Sequence, residues 1–153
     1  MAEPSRRSEA ALYDRDFYAW AEAQSQLLKS RSTAQLDWDN LAEEIATLGR
    51  SERSEIRNRL RVILIHLLKW QFQPEGRNAG WAGSLLEQRD QLNETLSESP
   101  SLKPYPQSVL QRQYRIARLK AAGETGLPVE TFPPESPYSV AEILDETFFP
   151  GSD

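Results

Sequence analysis

Apolar residues recur every third or fourth position over most of the chain, the spacing of helices with one buried face. Phe17, Trp20, Ala21, Gln24, Leu27 and Leu28 share one stripe, and Asp14 upstream is a capping residue type, so a first helix is predicted to about Lys29. After a polar connection, Ser30 to Gln35, Asp37 is placed to cap a second helix with Trp38 in its first turn. Leu41, Ile45 and Leu48 form its stripe, and Gly49 reads as a stop or a kink. Ser51 then opens a third helix to about Phe72, with Ile56, Leu60, Ile63, Leu64, Leu67 and Leu68 inward. Val62, Ile65, Trp70 and Phe72 carry its apolar surface further round, which predicts a central place in a bundle. Pro74 ends it, because proline cannot continue the hydrogen-bond ladder.

A fourth helix is predicted from about Ala79 to Glu98, with Trp81, Leu85, Leu92 and Leu96 buried and Ser99-Pro100 closing it. A fifth runs from about Pro106 to Ala122. Val109, Leu110, Gln113, Tyr114, Ile116 and Ala117 face inward there, Arg112, Arg115 and Arg118 form an outer ridge, and Gly123 and Gly126 stop the helix. Residues 127–138 hold four prolines and read as an extended strap anchored by Leu127, Val129, Phe132 and Tyr138. Ser139-Val140-Ala141-Glu142 is a capping box for a short last helix, with Phe148 and Phe149 tucked behind it. Strand signals are nearly absent. The expected architecture is all-α: a frayed terminus over 1–11, then a single-domain bundle of about five helices over 12–150. Its proline-rich C-terminal strap, 124–150, packs on the bundle.

Length supports one such core. A chain of 153 residues buries roughly two-thirds of its unfolded surface on folding. With no cysteine, disulfides, thiolate metal sites and a cysteine nucleophile are excluded. One histidine, His66, excludes any site needing two imidazoles. The longest apolar run, Val62 to Leu68, is far short of a membrane span, and residues 1–12 lack a secretory signal's apolar stretch, so a cytoplasmic address is expected. The net charge of −5 disfavours a dedicated nucleic-acid binder. Charge is segregated, however: no Lys or Arg follows Lys120, whereas Glu124, Glu130, Glu135, Glu142, Asp145, Glu146 and Asp153 do. The tail is expected to dock by its apolar groups and to neutralise the arginine ridges.

Several segments have a more particular character: Leu12-Tyr13-Asp14 with Asp16-Phe17-Tyr18 and Trp20, Leu41-Ala42-Glu43-Glu44-Ile45, and Leu48-Gly49-Arg50-Ser51-Glu52. They continue in His66-Leu67-Leu68-Lys69-Trp70-Gln71-Phe72-Gln73-Pro74, Trp81, Gln88-Arg89, Ser99-Pro100-Ser101-Leu102, Glu124-Thr125-Gly126-Leu127-Pro128 and Phe132-Pro133. In these the chain resembles the bacterial proteins grouped as domain of unknown function 29, over about residues 12–150. It departs from their pattern at Ser136, where the resemblance implies a cysteine before Pro137-Tyr138, and any redox reading of that position falls away. The resemblance implies an all-helical fold and supplies no established activity, substrate or cofactor.

Candidate chemistry is sparse. His66 shares a helical face with Glu55, Arg59, Val62, Trp70 and Gln73. If the second and third helices packed antiparallel, Glu43 and Glu44, with Asp37, would come alongside it. Such a centre holds a proton for acid-base work or binds a metal, His66 and Glu44 being its weak ligand candidates. The simpler reading is a core histidine bonded to Glu44 or Asp37, and no metal is expected. Lys69, Trp70, Gln73 and Arg77 are candidates for clamping a phosphate or stacking a base, or else a cationic rim over apolar surface. Arg50, Arg53, Arg57, Arg59 and Arg61 with the Arg112 ridge suggest an anionic-ligand or nucleic-acid surface, against which stands a solvated face. Phosphate-loop and nucleophile-elbow motifs are missing. The expected function is therefore a small cytoplasmic module for protein interaction or self-association. It has a protein partner or a second copy, no cofactor, no membrane and no nucleic acid. The alternatives are an enzyme centred on His66 and a nucleic-acid-binding accessory protein.

Overall fold

The computed structural model describes residues 11–151, whose regular secondary structure is helical, with no strand among those residues. The predicted frayed terminus lies outside the described residues except for its last position, which opens a helical stretch over 11–15. Next come α1 (Phe17–Lys29), α2 (Trp38–Phe72), α3 (Ala79–Glu98), α4 (Tyr105–Thr125) and α5 (Val140–Leu144). Short 3₁₀ turns link them at Thr33–Gln35, Pro74–Gly76, Pro100–Leu102 and Val129–Thr131.

Caps set most boundaries. Asp16, not Asp14, caps α1, its carboxylate accepting from the Ala19 amide at 3.1 Å. Asn78 does the same for α3 through the Trp81 amide. Ser139 and Glu142 complete the capping box of α5 in both directions. Gly126 ends α4 at φ 73°, a left-handed conformation that glycine reaches without steric cost, and Gly123 stays inside the helix. The largest departure from expectation is α2, which runs unbroken for 35 residues through Gly49 and Ser51. Gly49 does not adopt the positive φ of a helix stop. A lone glycine costs a helix only about 1 kcal/mol against alanine, and the flanking Ala, Leu, Glu and Arg are good helix formers. The predicted second and third helices are one element.

The chain divides into two compact units, with the boundary between Arg50 and Ser51 inside α2. In the first unit Trp20, Gln24 and Leu36 are buried. The second has a continuous apolar core. Its contributors include Ile56, Leu60, Leu64 and Leu67 of α2, Leu85, Leu92 and Leu96 of α3, and Leu110, Tyr114 and Ala117 of α4. Phe132, Tyr138 and Ile143, from the segment after α4, are buried in the same core, and Phe148 and Phe149 pack against it. That segment includes a 3₁₀ turn and so is not extended throughout. Among the described residues no helix is long and apolar enough to cross a membrane.

Candidate functional site

The first unit uses its polar side chains to hold itself together and leaves its apolar ones out. Buried Trp20 donates its indole N–H to Asp37 Oδ2 at 3.0 Å, and that oxygen also accepts from the Asn40 amide at 2.8 Å. The Asp37 backbone N–H donates to Gln24 Oε1 at 2.9 Å, fixing where α2 begins. The Tyr13 hydroxyl donates to Glu44 in a short bond. That bond, with some desolvation, pushes the Tyr13 phenol up to about 12. The Tyr13 ring meets Trp20 edge-on at 4.8 Å and Phe17 at 5.8 Å. Asp37 and Glu44, two of the sequence candidates for chemistry, are thus structural members of this unit.

Between α1 and α2 of this unit lies a groove of about 430 Å³, floored by Trp20 and Gln24 and walled by Phe17, Leu28, Leu41, Ile45 and Leu48. Lys29 and Glu44 are the charged residues at its edge. Phe17 and Leu28 are each 52% exposed, Trp38 57%, and Ile45 and Leu48 68%. The periodicity placed Phe17 and Leu28 on the stripe of the first helix and Leu41, Ile45 and Leu48 on that of the second; both stripes line the groove, and most of these side chains are solvent-accessible. Isolated exposed leucines need no explanation, but contiguous ones rimmed by polar residues mark a recognition surface.

His66 is placed elsewhere. Glu44 and His66 stand 22 positions apart on one continuous helix, about six turns, so no antiparallel pairing of two helices joins them. The expected bond from His66 to Glu44 or Asp37 is replaced by one from its Nδ1–H to the Val62 carbonyl, at 2.9 Å within α2. Glu43 pairs instead with Arg50 at 2.8 Å, with both side chains about 60% exposed. Among the described residues no cluster of three or more His, Asp or Glu side chains is arranged to hold a metal ion.

The second candidate set lies in the second unit, and its cations have internal partners. Lys69 Nζ sits 4.6 Å from the centre of the Trp81 ring and 3.7 Å from Glu124. Arg77 donates from Nε to the Trp70 carbonyl at 2.7 Å, and its guanidinium lies 5.4 Å from the Trp70 ring centre. Gln73 is the N-cap residue of the Pro74–Gly76 turn. Gly76 allows a close approach: a Cβ there would sit 2.6 Å from the Trp81 ring. The Trp70 ring packs against that of Phe149 at a tilt, centres 4.9 Å apart, and keeps a buried indole N–H with no hydrogen-bond partner among the described residues. These residues line the joint between the bundle and its C-terminal segment. A phosphate clamp would require cations free to turn outward.

The arginine ridges behave similarly. Arg61 donates to Gln113, Arg57 to the Tyr105 hydroxyl, and Arg118 to the Phe132 carbonyl at 3.0 Å. Among the described residues, the expected neutralisation by tail carboxylates is not made through ion pairs with these arginines. One arginine escaped the sequence reading. Arg89 is fully buried and donates to the Ile143, Phe148 and Glu142 carbonyls at 2.8, 2.9 and 3.3 Å. Burial lowers its pKa, and the charges of Asp145 and Glu146 oppose that shift. The signal was present: Arg89 occupies the i+4 position of the Leu85, Leu92, Leu96 stripe, a cation on a buried face. Ser136, standing where the resemblance implies a cysteine, donates to the Tyr138 carbonyl at 2.8 Å and accepts from the Tyr138 amide.

Compared with known proteins, the chain matches one family model, described as Domain of unknown function DUF29, over residues 12–149. No curated protein and no solved structure matches it.

Proposed function

Since the chain belongs to the Domain of unknown function DUF29 family, which brings no activity with it, we propose from geometry that it is a protein-interaction module docking an amphipathic helix in the groove of its first unit. The observation carrying this reading is the row Leu41, Ile45 and Leu48, at i, i+4 and i+7, facing Phe17 and Leu28 across the groove. A helix laid between two helices meets such a pair of stripes with its own i, i+3, i+4, i+7 anchors. Of the polar side chains lining it, Glu44 and Gln24 are already bonded within the unit, and Lys29 stands at the edge, so recognition along the groove falls mainly to apolar contact.

The test is site-specific photocrosslinking in the native host. A benzophenone amino acid at Ile45 is expected to join helical, apolar segments, and Leu48→Glu is expected to abolish those adducts. The same probe at Leu119, equally exposed on the second unit, is expected to give none. Adducts at Ile45 no more abundant than at Leu119 overturn the reading.

A further inference from the structure

We propose that the helix received by this groove belongs to a second copy of the same chain, so that the first units of two copies pair about a two-fold axis. The inference rests on reading the groove as a docking surface, and adds which partner occupies it.

The first argument is one of completeness. Two helices with facing apolar stripes are half of a four-helix bundle, and a layer of helices must cover its apolar face with another layer. The first unit buries Trp20 and Leu36, yet leaves Phe17, Leu28, Trp38, Ile45 and Leu48 more than half exposed. A second identical unit supplies the missing layer. Leu41, Ile45 and Leu48 then act both as groove wall and as inserted stripe, the self-complementarity that a two-fold contact requires.

Charge selects the same partner and its direction. From Trp38 to Leu48, α2 carries Asp39, Glu43 and Glu44 and no cation. Just beyond, Arg50 and Arg53 are both exposed. Antiparallel pairing of two α2 helices brings the acidic stretch of one beside the arginines of the other, whereas parallel pairing sets like against like. The Arg50–Glu43 ion pair within one chain shows the same attraction at the join of the two stretches.

Area sets the strength. Five side chains more than half exposed offer on the order of 500 Å² per copy, hence about 1,000 Å² per pair, where specific interfaces begin. A weak, concentration-dependent dimer with a Kd in about the micromolar range is the expected result.

Sedimentation equilibrium of the full chain, from low to high micromolar concentration, tests this. Expected is a monomer–dimer equilibrium that Ile45→Glu or Leu48→Glu weakens at least tenfold, with melting temperatures unchanged when measured at concentrations too low for association, because both positions are exposed. Leu119→Glu is expected to leave it untouched. Arg50→Glu is expected to weaken it less, and added salt to mimic Arg50→Glu. A dimer that survives Ile45→Glu and Leu48→Glu but not Leu119→Glu overturns both this inference and the choice of surface. A monomer at every concentration overturns the second copy alone, and crosslinks from position 45 to a different protein would then keep the docking surface. Crosslinked products of twice the chain mass support the pairing.

Discussion

Arg89 shows most clearly how single residues hold this molecule together. Among the described residues its guanidinium has no carboxylate bonded to it and donates instead to three backbone carbonyls at the end of α5 and beyond, so its charge meets the negative end of a short helix. A planar fork of donors reaches several carbonyls at once, and an ammonium cannot reproduce that geometry. Arg89→Ala is expected to lower unfolding free energy by about 3 kcal/mol, since the buried Ile143 carbonyl and the partly buried Glu142 and Phe148 carbonyls all lose a charged donor. Arg89→Lys is expected to fall between wild type and Arg89→Ala. Urea unfolding followed by circular dichroism measures both, and an Arg89→Lys variant as stable as wild type would show that charge alone suffices. Asn93 adds a neutral version of the same device, donating to the Leu144 carbonyl at 3.1 Å.

At the scale of elements, α2 decides how the sequence candidates are distributed. Because it does not break at Gly49, Glu44 and His66 belong to different turns of one rod and different units of the chain. Gly49 has open space where a Cβ would be, while Gly126 holds φ 73°. Gly49→Ala, measured at protein concentrations too low for association, is therefore expected to raise stability by about 0.5–1 kcal/mol. Gly126→Ala is expected to lower it by about 1 kcal/mol, because an L side chain is strained in the left-handed region. Denaturant midpoints of the two variants moving in opposite directions check the assignment. A destabilised Gly49→Ala would point back to a break in α2. The C-terminal segment is the second decisive element. It is fastened by buried Phe132 and Ile143 and by arginine-to-carbonyl bonds, with the tail's negative charge left mostly to solvent.

For the whole molecule, the phenols predict how stability responds to alkali. Burial pushes Tyr114 up from 10.0 to about 12, and burial also raises Tyr138 well above its ordinary value. Tyr13 is raised to about 12 chiefly by its bond to Glu44. Folding thus keeps these groups protonated in a range where the unfolded chain would lose the proton. The contribution of Tyr13 and Tyr114 is fully present below about pH 10 and is lost as the pH climbs through about 12, with that of Tyr138 persisting higher. Urea midpoints are expected to hold flat to about pH 10 and then fall. Tyr114→Phe should flatten part of that fall while costing about 1 kcal/mol at neutral pH, where the Pro133 carbonyl loses the hydroxyl donating to it at 2.6 Å. A Tyr114→Phe profile parallel to wild type across the alkaline range would remove this residue from the account.

Period, caps and breakers are local, and local information was enough for the helical class, the limits of α3 and the capping box at Ser139, and it named Gly126, with Gly123, as a stop. The apolar stripes were legible for the same reason: a helix repeats every 3.6 residues whatever it packs against. The fate of a stripe is not local. Ile56 and Ile45 look alike in sequence, yet one is fully buried and the other 68% exposed, because only the second unit supplies enough neighbouring surface to cover its helices. A glycine at position 49 reads equally well as a stop or as a tolerated interior residue. The choice fell to the helical residues on either side and to the packing they enter. Likewise nothing in the pattern around position 89 says that three carbonyls, more than 50 residues downstream, will converge on that arginine. The sequence by itself determined which residues form helices and which faces are apolar. Tertiary structure alone decided which faces found cover and which cation became core, since burial and hydrogen-bond satisfaction depend on contacts between residues far apart in the chain.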